Sequence, residues 1–158
     1  MTDHHSTTRV PVDDQYAALL GKAVYVFAYY EWNIIWIMEL LDNGFVHKYS
    51  RMDSMTSGKV EKEFLKLIDD RARIFTKVSK SDLQVCHQKF QSLILKRNAL
   101  IHAHPITDVD GSQILNFQTK PSKPIPDMKW SKNEVKEVIE EFDRAAVSAG
   151  EVLEKLRN

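Results

Sequence analysis

One cysteine, Cys86, stands among the 158 residues, so no disulfide can close within the chain. The spaced cysteine and histidine pairs that hold zinc are missing as well. Charge of one sign is missing too, since 22 basic residues offset 22 acidic ones. A nucleic-acid binder that relies on long-range attraction carries a basic excess, so any contact with RNA has to come from a local cluster. The five glycines form no phosphate-cradling loop and no nucleophile elbow. Nucleotide-driven chemistry and serine hydrolysis are therefore disfavoured. No acid-rich cluster suggests a metal, and neither a metal nor any other cofactor is expected. The most apolar stretch, residues 24–41, is interrupted by Glu31 and Asn33. Polar groups in mid-run argue against a membrane span. The first dozen residues are polar, which predicts no signal peptide and a cytoplasmic address.

What remains is a chain long enough for one substantial core, with ordinary apolar and charged fractions. Residues 1–11 read as a flexible N-terminal tail and residues 12–158 as a single helical domain. A first helix is expected from Asp13 or Asp14, a good N-cap, to the stop at Asn43-Gly44. Leu20, Val24, Phe27, Ile34, Met38 and Leu41 recur at spacings of three and four and define its core face. Further apolar residues, Trp36 among them, widen that face to well over half the circumference. A helix so greasy has more than one neighbour, and a subunit interface is one candidate. Its aromatics, including Trp32, fit core or interface better than base stacking.

A second helix is expected to start at 54–58, with Val60, Phe64, Leu65, Ile68 and Ile74 as its stripe. A third begins near Ser81 or Asp82 and ends before Pro105. Asp110-Gly111 between two β-prone runs signals a hairpin, and the proline-bearing segment 119–130 reads as a loop. Ser131 and Glu134 form a capping box that opens the last helix. The expected fold is all-α: an up-down-up-down bundle of four helices with a small β-hairpin before the last.

The third helix carries the chemistry. Leu83, Cys86, Phe90, Leu93 and Leu100 follow the three-four alternation, and Arg97 fills the slot between the last two. A neighbouring row holds Gln84, Gln88, Gln91, Asn98 and His102, broken only by Leu95. Five residues of helix set Arg97 and His102 about 140° apart, flanking a groove. A guanidinium in a core-facing row is costly unless paired. Glu31 fills the matching slot of the first helix between Phe27 and Ile34. At about 1.5 Å per residue the two lie at similar heights if the helices run parallel, so Glu31 is expected to approach Arg97. Spacing alone selects no substrate. The same residues read equally as a structural salt bridge beside a helix-end histidine.

Arg97-Asn98-Ala99-Leu100-Ile101-His102, late in the third long helix, resembles the signature of HEPN domains: arginine, a polar residue, and histidine four to six residues on. The resemblance implies a homodimer in which the motif helices of two subunits form one cleft. It also implies metal-independent endoribonuclease activity, as in toxins and phage-defence effectors, with Arg97 and His102 as the catalytic pair and Asn98 in support. Other members keep the fold as inactive protein- or RNA-binding modules. The chemistry is reasonable: RNA carries its own nucleophile, the 2′-hydroxyl. Histidine suits proton transfer near neutral pH, and arginine offers a fixed cationic fork to phosphate.

His104 fits a six-residue spacing from Arg97, so either histidine can be the working one. Asn98, one turn earlier, favours His102. Some family toxins are silenced by modification of a tyrosine two positions after the histidine. Here that position is His104, so control by this route is not supported, although a cognate antitoxin or regulatory protein remains a candidate partner. Lys96, Lys120, Lys123 and Lys129 are candidates for an RNA-binding rim, against the ordinary reading of solvated lysines. A purely structural helical dimer is the remaining alternative.

Overall fold

The computed structural model describes residues 9–51, 55–71, 77–118 and 128–158. These form five helices and one small antiparallel sheet. In chain order the elements are α1 (Asp14–Leu41), α2 (Phe45–Arg51), α3 (Ser57–Arg71), α4 (Lys80–Ile101), β1 (His104–Thr107), β2 (Gln113–Phe117), β3 (Met128–Trp130) and α5 (Lys132–Arg157). None of these helices is long and apolar enough to cross a membrane.

Local chemistry fixes the ends. The Asp13 carboxylate accepts from the Tyr16 N–H at 3.0 Å and caps α1. Asp42 ends α1, and Gly44, at φ +97°, makes the turn into α2. Ser79, two residues before the start expected at Ser81 or Asp82, is the N-cap of α4, and it forms a reciprocal capping box with Asp82. Ser131 is the N-cap of α5, with the Glu134 N–H on Ser131 Oγ at 3.2 Å, which is the first half of the capping box expected there.

The helix order departs from strict alternation of four. Between α1 and α3 lies the short α2, which turns back along α1. The Glu39 carboxylate accepts from the Gly44 and Val46 N–H groups, and the Tyr49 ring returns to within 6.4 Å of Trp32. This added reversal lets α5 run beside α1 in the same direction. Asp13 pairs with Lys132 at 2.8 Å, Phe27 packs on Phe142, and Arg157 lies over Trp36. Helix α4 runs against α5, with Lys96 on Glu141 near one end and Asp82 facing Lys155 near the other. It also runs against α3, where Ser57 meets Arg97 and Phe64 meets His87.

The sheet has order β1-β2-β3, with Ile106 opposite Ile114 and Leu115 opposite Trp130. Gly111, at φ +85°, takes the turn that Asp110-Gly111 signals. The third strand falls in a segment expected to be loop, because three residues are too few for alternation to register. Proline 105 sits on an edge strand, where its missing N–H costs no ladder bond. The fully buried Trp130 ties the sheet to the helices by donating from Nε1 to the Ala99 carbonyl at 3.1 Å.

The core is one cluster in which Phe27, Tyr30, Phe90 and Phe142 meet ring to ring. Among the described residues, two placed on core stripes by spacing are outside it: Val24 is 48% exposed and Leu65 is 39% exposed. Each lies at the edge of a stripe, where the neighbouring helix does not reach. Ile74, placed on the second stripe, lies outside the described residues. The buried Tyr16 hydroxyl joins α1 to the sheet. It donates to the Trp130 carbonyl at 2.6 Å and accepts from the Leu115 N–H at 2.9 Å. Tyr16→Phe leaves both backbone groups without that partner, and the expected loss is about 1–3 kcal/mol in urea unfolding. An unchanged midpoint would show that the hydroxyl does not anchor the sheet.

Candidate functional site

Arg97 lies in the apolar row of α4, half-buried, with Cζ 5.1 Å from the centroid of Phe27. Such a position needs an answer to the charge, and part of it comes from α3. Arg97 Nη2 donates to Ser57 Oγ, and the Ser57 hydroxyl donates to Glu31 Oε2. The expected approach of Glu31 and Arg97 therefore occurs through a serine that bridges them, but α4 runs against α1, whereas the expected heights required parallel helices. The serine was missed because only its place at a helix start, not its direction, is legible in the sequence. Stacking over Phe27 adds a cation–π contact of about 1–2 kcal/mol.

The guanidinium is unevenly satisfied. Nε is buried and without a hydrogen-bond partner among the described residues. Nη2 is taken by Ser57. Nη1 has no hydrogen bond to a described residue. The fork is thus held at Nη2, and a guanidinium fixed in this way is suited to an anion contact.

His102 is the C-cap of α4, at φ −94° and ψ 9°, and its backbone N–H bonds to the Asn98 carbonyl at 2.9 Å. Its imidazole is exposed and makes no hydrogen bond with a described residue. Asn98 is half-buried, and its side-chain amide has no described partner either. His104 is not on the helix. It is exposed on β1, with Nδ1 3.4 Å from the Pro105 carbonyl. That places it past the turn that ends α4, so a helical spacing from Arg97 does not apply to it. Among the expected rim residues, Lys96 is paired with Glu141 at 2.7 Å and Lys129 with Asp108 at 3.0 Å. Lys120 and Lys123 lie outside the described residues.

One turn along the same α3–α4 seam is a second polar knot that the sequence reading passed over. His87 Nε2 and Glu61 Oε1 are 2.6 Å apart, and Gln91 Nε2 donates to the same oxygen at 3.3 Å. Both His87 and Glu61 are buried, at 5% and 8% exposure, which keeps them from any substrate in solution. A signal was available: Glu61 sits between Val60 and Phe64, and His87 follows Leu83 by four and precedes Phe90 by three. Polar residues at core spacing mark a buried pair as readily as Arg97 and Glu31 do.

Two results test this seam. Ser57→Ala removes the bridging hydroxyl and is expected to cost about 1–3 kcal/mol in denaturant unfolding. Glu61→Leu leaves His87 buried without its acid and is expected to cost about 3 kcal/mol or more, whereas adding His87→Leu restores most of it. If the double variant is no more stable than the single one, the two side chains do not act as a pair.

No protein-family model matches the sequence, and no curated protein and no solved structure is significantly similar to it.

Proposed function

We propose that the chain is a metal-independent endoribonuclease of HEPN type, acting as a homodimer in which two copies of α4 meet and share one cleft. The observation that carries this reading is the asymmetric Arg97 fork. Its Nη2 is fixed by Ser57 while Nη1 has no described partner, on the same helix whose exposed cap is His102.

The surface of α4 supports the dimer. Its outer face presents Gln84, Gln88, Ser92, Leu95, Asn98 and His102, with Leu95 50% exposed. Four turns without a charge are unusual for a solvent face in a chain that is 28% charged. Depletion of charge with an apolar residue at the centre is the composition of an interface core.

The reaction needs one base and one acid, and each copy brings one imidazole. His102 of one copy takes the proton of the 2′-hydroxyl as O2′ bonds to the adjacent phosphorus. The bond from phosphorus to O5′ breaks, and the second copy's imidazole protonates the leaving oxygen. The two Arg97 forks hold the phosphoryl oxygens, where negative charge builds. The products are a 2′,3′-cyclic phosphate and a 5′-hydroxyl. The cellular role assigned with this chemistry is that of a cytoplasmic toxin or phage-defence effector, restrained by a cognate antitoxin or regulatory protein.

The second reading is a catalytically inactive HEPN-like dimer that binds protein or RNA. The burial of Arg97 Nε and the tie to Ser57 favour it, because a guanidinium committed to the fold has less to give a substrate.

Cleavage of end-labelled RNA in EDTA separates the two. The wild type is expected to cut, and His102→Ala to cut about 10²–10⁴-fold more slowly, the usual worth of a general acid or base. Leu95→Glu, on the outer face of α4, is expected to yield a monomer without activity. Equal rates for wild type and His102→Ala would remove this histidine from the mechanism. RNA retention without cleavage would select the binding module.

A further inference from the structure

On the side of α4 that meets α5 lies a groove of about 510 Å³. That volume falls within the range of small-molecule sites. Its floor is Tyr30 from α1, Cys86 from α4, and Ala145, Ala149 and Val152 from α5. Its mouth carries Lys89, Arg144 and Lys155 with Asp82 and Glu151.

Two observations point to a ligand. The first is Tyr30, which is 1% exposed, with its ring edge-on to Phe27 and Phe90. Its hydroxyl has no hydrogen-bond partner among the described residues. Tyr30 lines the groove. A buried phenol ordinarily finds a partner, and the groove offers room for one beside this residue. Burial pushes this phenol above its usual range, and burial pushes the Cys86 thiol up to about 12. Both therefore stay neutral donors near neutral pH.

The second observation is the charge of the mouth. Asp82 is engaged at the α4 cap, where its carboxylate accepts from the Ser79 N–H at 3.3 Å. Lys89 and Lys155 form no ion pair with a described residue, and the Arg144 contact with Glu140 is long, at 3.9 Å. Three cations then face Glu151 and an Asp82 that is already committed.

We propose that this groove binds an aryl carboxylate: its rings lie over Ala145, Ala149 and Val152, a carbonyl oxygen in its body accepts from the Tyr30 hydroxyl, and its carboxylate meets Lys89, Arg144 and Lys155. The inference does not rest on the nuclease reading, since none of these residues belongs to that site.

The test uses 4-benzoylbenzoate as the probe, titrated calorimetrically into the full chain. Saturable binding is expected, weakened at least tenfold by Lys89→Glu with Lys155→Glu, two exposed changes that leave the core intact. The analogue with a methylene in place of the ketone is expected to bind at least threefold more weakly. Tyr30→Phe, which keeps the ring packing, is expected to erase that preference. Cys86, as the sole cysteine, reports location: bound probe is expected to slow its alkylation by iodoacetamide at pH 9 at least threefold. Absence of saturable heat overturns the proposal. So does binding of equal strength to wild type and the charge-reversed variant, or a ketone preference that survives in Tyr30→Phe.

Discussion

A cation placed in an apolar helical row has to be answered within reach of its own side chain, and much of this domain is arranged around that requirement at Arg97. Ser57 hands the guanidinium to Glu31, and Phe27 lies beneath it. Arg97 on α4 and these partners on α1 and α3 belong to three helices, so satisfying one charge fixes the placement of all three. One turn along, Glu61, His87 and Gln91 repeat the device between α3 and α4 alone. Buried polar contacts of this kind give modest net stability, because desolvation offsets most of the attraction. Their stronger effect is on register. Sliding α3 by one turn against α4 would strand two acids and a guanidinium in an apolar setting, which is far costlier than mispacked leucines.

Helix α4 consequently has three faces with three kinds of chemistry. The inner face combines core residues with the polar seam. The face toward α5 contributes Cys86 and Lys89 to a groove whose floor is neutral and whose mouth is charged. The outer face is uncharged and ends at the exposed His102. The two ends of the candidate site therefore differ in how they are held. Arg97 is held by its neighbours, whereas His102 sits at the last turn, with no described side-chain partner. For phosphoryl chemistry that division is useful: a pre-placed cation needs no reorganisation as charge develops, while a proton carrier has to reach two positions.

Much of this was legible in the residues. Three-four spacing found the long helices, Asp110-Gly111 found the hairpin, and the Ser131 box found the start of α5. The same spacing set Arg97 and Glu31 as misfits in apolar rows and so marked them as partners, although the helices expected to run parallel at their meeting are antiparallel. What escaped has physical causes. Helix α2 has seven residues, too few to show a face, yet it reverses the chain and changes the direction of everything after it. Strand β3 has three residues and is defined by its pairing with β2, which is a long-range fact. Ser57 is an ordinary residue at a helix start until a neighbouring helix supplies Arg97. His104 shows the opposite error, where helical spacing was extended past the point at which Pro105 ends the helix.

Charge distribution narrows how RNA could approach on the proposed reading. Lys96, the cation nearest Arg97 in sequence, is neutralised by Glu141 at 2.7 Å. Around it Glu134, Glu137 and Glu140 line the α4–α5 surface, which makes that side repulsive to a polyanion. The α3 side is closed by the packed seam. The outer face of α4 remains, carrying no acid from Gln84 to His102. On the proposed reading each chain brings one fork and one imidazole to the cleft. The second proton-transfer group that cleavage requires has to come from across the same face, so the route of the substrate and the place of the second subunit are one geometric question.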